Sequence, residues 1–472
     1  MTITQDSVIQ EYKTRTRAVS ECIGHLTPEE NQKLAQLWSL LLDYFEANTR
    51  KQVEVHSELL QQRCHDWSEL GADDGLSDDD PEEVTQRAWT FTKGDSSMRK
   101  LGMLASIRKK PKPDHERLVL ERHVSETTQQ FCNRKCGRHV SLIPATYFPS
   151  FAYPDGETRN ISDVFWMACS AKEHPDIWVC RFLRSTHWDV AKAFSAIQST
   201  VEWRAAEALD QLNWEGEIAL GYDELRLGII QLVGRDKLGY PLLHFRVRRI
   251  MPRAAEIFAH KRYLVSHFEM LQHVIRKDER VTMLFDFTGF SMDNTPFNMV
   301  HFLVTLGTKQ YAETSSMLIL LVDSWLFTNF WNLIRPFLDA NLSARIVFAK
   351  TIDDVLNFVD KDQLPEELGG QSTFATKFVL PREGENKAMT DLVNRKHAEE
   401  NWRECISVFK EATRKWHRQV ANSDSKACVD ARDNAAHELG LAEHKLSIYT
   451  RARSNFERLG LVNEDGCLDL SQ

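Results

Sequence analysis

The hydrophobic and polar positions of this chain follow a helical period at first and a strand period later. Thr27, Pro28 and Glu30 precede apolar residues spaced three and four apart, a pattern typical of a capped amphipathic helix over residues 28–45. The same spacing returns at Ile161 and runs to Trp203, where it predicts three or four further helices. We therefore expect an N-terminal helical subdomain made of residues 26–50 and 161–215.

Residues 51–160 interrupt this subdomain. An acidic block lies between residues 73 and 83, and a basic block between residues 99 and 112 is followed by Pro113. Segregated charge with few large apolar residues buries too little surface to offset the entropy of ordering, so we predict a largely disordered charged insertion. Apolar residues within the basic block leave open a weak contact with an anionic membrane, beside the simpler role of a solvated tether.

After residue 216 the spacing of apolar residues changes from helical to strand-like. Residues 229–233 and 242–247 flank a glycine-bounded turn and predict two paired strands. Three later runs are apolar on both faces, as strands buried between two layers would be, and helical segments separate them; they are residues 281–287, 317–322 and 345–349. Strands that alternate with helices indicate a mainly parallel sheet flanked by helices, so the predicted fold class is α/β.

Residues 322–339 carry more aromatic surface than an ordinary exposed helix. At 100° per residue, one broad apolar face gathers Phe327, Phe330, Trp331, Ile334 and Phe337. A narrow polar stripe gathers Ser324, Thr328, Asn332 and Arg335. Pro336 lacks a backbone donor, so the helix should kink or end there. Such a helix is either buried core or a movable lid, and the pattern alone favours core.

Beyond Gly370 the sequence becomes polar and helix-prone, over residues 386–420 and 428–459. Large residues at loose intervals would form the apolar side of a helical hairpin; they are Trp402, Phe409, Trp416, Ile448 and Phe456. We expect this C-terminal helical extension, residues 386–460, to dock on the body of the protein or on a partner.

Composition narrows the class of protein. A hydrophobic fraction of 42% and a charged fraction of 27% are typical of globular proteins, and a net charge of -9 argues against general nucleic-acid binding. The N-terminus lacks a secretory pattern and the purest apolar run, residues 317–322, is too short to span a bilayer, so we expect a cytoplasmic protein. Nine scattered cysteines suit free thiols, and Cys132, Cys136 and His139 lack a standard zinc spacing.

Common catalytic motifs are absent from the sequence. It has no Gly-x-Gly-x-x-Gly after a strand, no phosphate-binding Gly-Lys-Ser/Thr loop, no Gly-x-Ser-x-Gly and no His-Glu-x-x-His. Asp286 and Asp323 end two predicted strands, where catalytic carboxylates of α/β sheets often lie, but aspartate is as common there in a turn or at an N-cap. We therefore expect a binding protein and not an enzyme.

Several motifs occur in the order of a known family. Residues 174–184 read HPDIWVCRFLR, and the motifs around Trp188 and Trp203 follow. Later come GRDKLGYP at 234–241, FDFTGF at 285–290, WLF at 325–327, RPFLD at 335–339 and LPEELGG at 364–370. Together they resemble the CRAL-TRIO lipid-binding family, in its phosphatidylinositol transfer protein branch. The resemblance covers residues 26–45 and 161–374 and leaves the insertion and the C-terminal helices uncovered.

This resemblance implies a helical N-terminal tripod and a lipid-binding domain, residues 216–375, whose sheet encloses one lipid. The aromatic segment corresponds to the gate of that pocket, with Trp325, Phe327, Phe330 and Trp331 as its bulky residues. It implies no cofactor: the bound lipid is cargo, exchanged between membranes without covalent chemistry.

The resemblance also indicates where the lipid headgroup would bind. Arg335 stands at the basic position before Pro-Phe-Leu-Asp, and Thr186 and His187 replace a basic pair after Arg-Phe-Leu-Arg. An acidic counterpart in the helix before the gate is not found around His301 and Leu303. An arginine fork suits a phosphate, and His187 would strengthen the site only when protonated.

The predicted floor strands would line the pocket with apolar side chains only, namely Leu243, Phe245, Met283, Phe285, Leu318 and Leu320. This lining suits acyl chains and a sterol-like or isoprenoid hydrocarbon equally well, and the same residues are equally consistent with ordinary core.

The preferred interpretation is a protein that extracts a phospholipid and exchanges it between membranes, with phosphatidylinositol as the favoured cargo. The alternative is a lipid-sensing scaffold that recruits a partner enzyme without net transfer, and a third interpretation is a cofactor-dependent oxidoreductase. The expected partners are a phospholipid and a transiently contacted membrane surface, with the C-terminal helices available to a protein partner and no nucleic acid.

Overall fold

The computed structural model describes residues 25–57, 59, 158–220, 225, 228–250, 257–277, 280–289, 297–322, 326–338, 340–372, 379, 381–382, 384–419 and 426–470. The N-terminal elements are α1 (Pro28–Ala47), β1 (Gln52–Glu54), β2 (Thr158–Asn160), α2 (Ile161–Ser170), α3 (Pro175–Ser185), α4 (Val190–Ala206) and α5 (Leu209–Glu215).

The main sheet and its connections comprise β3 (Ile230–Arg235), β4 (Pro241–Arg246), α6 (Ile257–Val274), β5 (Val281–Asp286), α7 (Phe297–Thr305), β6 (Ser315–Leu321), α8 (Leu326–Ile334), α9 (Ala340–Ser343), β7 (Ile346–Ala349) and α10 (Ile352–Val355). The C-terminal helices are α11 (Leu392–Gln419), α12 (Lys426–Thr450) and α13 (Asn455–Arg458). Short 3-10 turns occupy Gly216–Ala219, Val247–Arg249, Arg335–Phe337, Lys361–Gln363, Glu366–Leu368 and Lys387–Thr390, and α7 continues into a π-helical turn at Leu306–Gln310.

The start of α1 has the chemistry that its sequence predicts. The Thr27 hydroxyl accepts from the Glu30 backbone N–H, and Glu30 Oε2 accepts in return from the Thr27 N–H at 2.8 Å. These two bonds satisfy donors that a helix N-terminus otherwise leaves open.

The two ends of the insertion are joined by a small antiparallel sheet. β1 pairs with β2, with Gln52 opposite Asn160 and Glu54 opposite Thr158. Strand pairing thus orders residues at both ends of the expected insertion 51–160, although they carry little apolar signal. Most of the predicted disordered stretch, with its basic block and its cysteines, lies outside the described residues.

The main sheet is mixed and mainly parallel, which confirms the predicted α/β class. Its strand order is β3-β4-β5-β6-β7; β3 and β4 form an antiparallel hairpin and every later neighbour is parallel. In the hairpin turn, Asp236 Oδ1 accepts from the backbone N–H groups of Leu238 and Tyr240, both at 2.9 Å, and Gly239 supplies a φ of +86°. A glycine tolerates this backbone conformation at no steric cost.

Both faces of the main sheet are covered. One face packs against α10 and the segment after it through Val233, Leu242, Leu284, Ile319 and Val347. The opposite face, which includes Leu243 and Phe285, packs against α6 and α8 in a larger core. Burial on both sides explains why the central strands read as continuous apolar runs.

The C-terminal hairpin packs on the N-terminal helices of the same chain. The Phe409 ring lies 5.4 Å from that of Trp38, and Arg432 donates two hydrogen bonds to the Asp176 carboxylate, at 2.6 and 2.5 Å. The aromatic side of the hairpin is thus used internally. Ile448 is an exception to the predicted apolar side, since half of its surface is exposed. Within the part of the chain that the structure describes, no helix is both long and apolar enough to cross a membrane.

Candidate functional site

The strand register aligns the predicted pocket residues in two rows across the sheet. Because side chains alternate between the faces of a strand, residues paired across neighbouring strands point to the same side. One row is Leu232, Leu243, Met283, Leu318 and Ile346, and the next is Ile230, Phe245, Phe285, Leu320 and Phe348. We call these two rows the floor. All six predicted lining residues belong to it.

Helix α8, called the gate helix below after the role predicted for it, lies over the side of the floor near β7. Phe327 and Phe330 are 5% and 4% exposed, and their rings lie 4.7 and 5.7 Å from that of Phe287 at the end of β5. The half-buried Trp331 meets Phe348 of β7 edge to face, at 4.9 Å. This helix therefore packs on the floor through its aromatic face. Trp325 lies outside the described residues.

Pro336 ends the gate helix as predicted. The α-helix stops at Ile334 and residues Arg335–Phe337 form a 3-10 turn. Thr328, Asn332 and Arg335 are exposed, as expected of the polar stripe, whereas Phe337 is 42% exposed and so does not share the buried face. The expectation for Phe337 is wrong because a 3-10 turn advances by about 120° per residue, not 100°, and rotates its last side chain outward.

A cavity of about 50 Å³ lies on the same face of the sheet, over the part of the floor formed by β3 and β4. Leu243 and Phe245 line it, while Met283, Phe285, Leu318 and Leu320 lie in the core away from it. Its other walls are α6 and residues of the C-terminus, including Phe456 and Leu461. A cavity of this size holds no lipid, because ligand pockets measure roughly 300–1,000 Å³.

Two polar side chains of α6 face this cavity. The Tyr263 hydroxyl accepts from the Ile230 backbone N–H at 3.2 Å. His267 Nδ1 lies 2.9 Å from the Tyr263 carbonyl oxygen, and burial lowers the pKa of His267 to about 4. The imidazole is therefore neutral near pH 7 and adds no charge to the cavity.

Charged residues meet at the amino-terminal edge of the parallel strands. Arg280 precedes β5, Glu313 precedes β6 and Arg345 precedes β7. Arg345 donates to the Glu313 carboxylate, Arg280 Nη2 lies 3.4 Å from Glu313 Oε2, and Arg184 Nε of α3 lies 4.0 Å from the same oxygen. We call these four residues the arginine cluster.

The arginine cluster is a buried site with more positive than negative groups. Glu313 is 9% exposed and has a φ of 56°, an uncommon conformation for a residue with a side chain. Burial, together with the charges of Arg184 and Arg345, lowers the pKa of Arg280. Sequence analysis missed this site, since it sought the acid around His301 and Leu303. The available signal was a charged residue one or two positions before each of three buried strands.

The predicted headgroup residues lie close in sequence to members of the arginine cluster: Thr186 and His187 follow Arg184, and Arg335 is ten residues before Arg345. Thr186 lies two residues after Arg184, caps α3 and donates from its hydroxyl to the Phe182 carbonyl at 2.8 Å. His187 is exposed, with a φ of 54°, and Arg335 is exposed on the 3-10 turn after the gate helix. Their roles remain predictions.

A second buried cluster of charged and titratable side chains lies near the carboxyl ends of β4 and β5. His244 Nε2 lies 3.5 Å from Asp286 Oδ2, and His244 Nδ1 lies 3.5 Å from Glu367 Oε1 in the LPEELGG motif. Burial and the charge of Arg246 lower the pKa of His244 to about 4. Asp286 Oδ1 also accepts from the Thr288 N–H at 2.9 Å, which is the turn role considered for it; Asp323 lies outside the described residues.

Within the described ranges, no group of three or more histidine, cysteine, aspartate or glutamate side chains is arranged to hold a metal ion.

Residues 225–370 match the CRAL/TRIO domain family. Phosphatidylinositol transfer protein CSR1 of Eremothecium gossypii is 27% identical over 312 residues, which cover 64% of this chain and 71% of that protein. CRAL-TRIO domain-containing protein C3H8.02 of Schizosaccharomyces pombe is 25% identical over 454 residues, or 93% of this chain and 91% of that protein. The crystal structure of Sfh5, 12% identical, aligns with 58% of this chain and 95% of that chain at a TM-score of 0.38. The predicted resemblance is confirmed: the span that holds the main sheet and the gate helix, residues 225–370, is a CRAL/TRIO domain.

Proposed function

We propose that this protein binds one phospholipid between the floor and the gate helix and exchanges it between membranes, with phosphatidylinositol as the favoured headgroup. The observation that carries the proposal is the floor itself, two aligned apolar rows whose side near β7 is covered by an aromatic helix. The name of the CSR1 relative, a phosphatidylinositol transfer protein, points the same way. The chemistry is binding and release, without a covalent step.

Exchange requires the gate helix to move. The cavity of about 50 Å³ is far smaller than a lipid, so the closed gate helix and the floor occupy the space that acyl chains need. Lifting Phe327 and Phe330 off the floor would expose both apolar rows. The lipid then replaces the aromatic contacts that are lost.

The outer side of the gate region suits a membrane surface. Phe348 of the edge strand β7 is 41% exposed, Phe337 is similarly exposed, and Trp331 lies half-buried against Phe348. Arg335 and Lys350 are exposed beside them in sequence. Aromatic residues favour the bilayer interface and cations favour anionic headgroups, so this surface would place the gate helix against the lipid to be exchanged.

The arginine cluster is the proposed phosphate site. Guanidinium groups supply aligned pairs of donors, which match the oxygens of a phosphodiester better than a single ammonium does. Glu313 adds an acceptor that suits the hydroxyl groups of inositol. In this arrangement Arg335, on the turn after the gate helix, would close over the headgroup when the gate helix shuts.

The test is headgroup selectivity. Purified protein is incubated with vesicles that contain equal amounts of phosphatidylinositol and phosphatidylcholine, and the bound lipids are quantified by mass spectrometry. Arg345→Gln should lower the phosphatidylinositol fraction at least tenfold, because losing one charge-assisted partner of a buried phosphate costs about 1.5–3 kcal/mol. Arg345→Lys keeps the charge but loses the paired donors of the guanidinium. Its bound phosphatidylinositol fraction should lie between those of the wild type and Arg345→Gln.

Matched controls separate the site from general effects. Arg414 pairs with Glu46 on the surface of α11, and Arg414→Gln should leave the bound fractions unchanged. Arg335→Gln tests the proposed contact of Arg335 with the headgroup, and it should also lower the bound phosphatidylinositol fraction in the same assay. Equal loss of both lipids in Arg345→Gln would make Arg345 a structural residue, and absence of lipid from the wild-type protein would refute lipid transfer altogether.

A further inference from the structure

The floor is covered by two different segments of the chain. The gate helix covers the side near β7, where the Phe327 ring lies 6.1 Å from that of Phe348. Residues 455–470, here called the C-terminal segment, cover the side near β3 and β4. Its Phe456, Leu459 and Leu461 line the cavity. Both segments belong to one continuous group of packed apolar residues.

The C-terminal segment is fixed by polar contacts. Arg458 donates to the carboxylates of Glu217 and Glu385, and to the Val379 carbonyl at 2.8 Å. At the far end, the Leu468 N–H donates to the Val274 carbonyl of α6 at 2.8 Å. Buried ion pairs of this kind strongly resist separation, because each partner would be left as an unpaired charge. The gate helix, by contrast, meets the floor through aromatic rings.

The width of the floor is slightly greater than the length of one acyl chain. Five strands leave four spacings of about 4.8 Å, or roughly 19 Å from β7 to β3. Half of a bilayer's hydrocarbon core, about the length of one chain, is roughly 15 Å. A chain that enters under the gate helix and runs along the rows toward β3 therefore comes close to the C-terminal segment.

We propose that the C-terminal segment is the end wall of the lipid site, and that Phe456, Leu459 and Leu461 set the length of the acyl chain it accepts. This inference rests on the proposed lipid-binding function. The space left at the wall is about 50 Å³, room for only a few water molecules at roughly 10–15 Å³ each. A chain that already reaches the wall gains almost no further carbon unless the wall recedes.

The experiment measures chain-length preference. Full-length protein is loaded from vesicles that contain equal amounts of dimyristoyl and distearoyl phosphatidylinositol, and native mass spectrometry gives the ratio of the two bound lipids. Phe456→Ala and Leu459→Ala should shift the ratio toward the distearoyl lipid, about fourfold for each methylene group that gains a buried position. Leu459→Trp fills the same space and should shift the ratio toward the dimyristoyl lipid.

The control and the contrary outcomes are defined by the same ratio. Ile448→Ala, at a half-exposed position of α12, should leave it unchanged. If the alanine variants fail to fold, the opposite shift of Leu459→Trp still decides whether the C-terminal segment limits the length of the acyl chain. Lipid uptake with an unchanged ratio in Leu459→Trp overturns the end wall alone. A wild-type protein that takes up neither lipid overturns the transfer function and the end wall together.

Discussion

Shortening one gate side chain, Phe330→Ala, should speed lipid exchange while leaving the melting temperature almost unchanged. The closed gate helix buries Phe327, Phe330 and Ile334, and burial of each side chain stabilises the closed state by about 1.5–3 kcal/mol. The contact with the Phe287 ring adds roughly 0.5–1.5 kcal/mol. If α8 acts as the proposed gate, three side chains and their ring contacts therefore favour its closed position by several kcal/mol.

Replacing a buried phenylalanine by alanine costs about 3–5 kcal/mol. If the gate helix opens as a unit while the sheet stays folded, this loss falls on the opening equilibrium and not on global unfolding. A change of 3 kcal/mol raises the open fraction by roughly a hundredfold. Exchange limited by opening should accelerate by up to that factor, with a melting temperature within a few degrees of the wild type.

Two assays on the same preparations decide the question. Transfer of a fluorescent phosphatidylinositol between donor and acceptor vesicles reports exchange, and a thermal melt reports global stability. Phe337→Ala, at an exposed position beyond the gate helix, is the matched control for stability. An early melt of Phe330→Ala without faster exchange would show that this ring is ordinary core, and would refute the gate assignment.

Two further predictions concern stability. His244 and His267 have pKa values of about 4 in the folded protein, below the ordinary 6.5, so the unfolded chain takes up protons first and the free energy of unfolding falls between about pH 6.5 and pH 4. Each histidine should cost about 2 kcal/mol between pH 7 and pH 5, and denaturant titrations of His267→Phe should show a smaller drop over that interval; an equal drop would contradict the buried, neutral state. A Cβ on Gly370 would lie 2.0 Å from the Leu364 carbonyl oxygen, whereas Gly369, with a φ of +73°, has open space around it. Gly370→Ala should therefore prevent stable folding while Gly369→Ala costs about 1–2 kcal/mol, and equal melting temperatures would contradict that close approach.

The sequence by itself determined the elements whose cause is local. Thr27 and Glu30 cap α1 through bonds three residues apart, and Pro336 ends the gate helix because it lacks a donor. The positions of the buried strands could also be predicted from the sequence, since burial on both faces requires continuous apolar runs. Even the floor follows from side-chain alternation once the strands are placed, and it contains all six residues that were predicted to line a pocket.

Only the tertiary structure decided which distant residues meet. Arg184, Glu313 and Arg345 come from separate parts of the chain. The pairing of parallel strands brings Glu313 and Arg345 to one edge, and the packing of α3 adds Arg184 there. Phe456 appeared in the sequence as part of a helical hairpin, yet it lines the cavity, because Arg458 fixes the C-terminal segment on Glu217. Such contacts depend on the packing of whole elements, and neither spacing nor propensity encodes them locally.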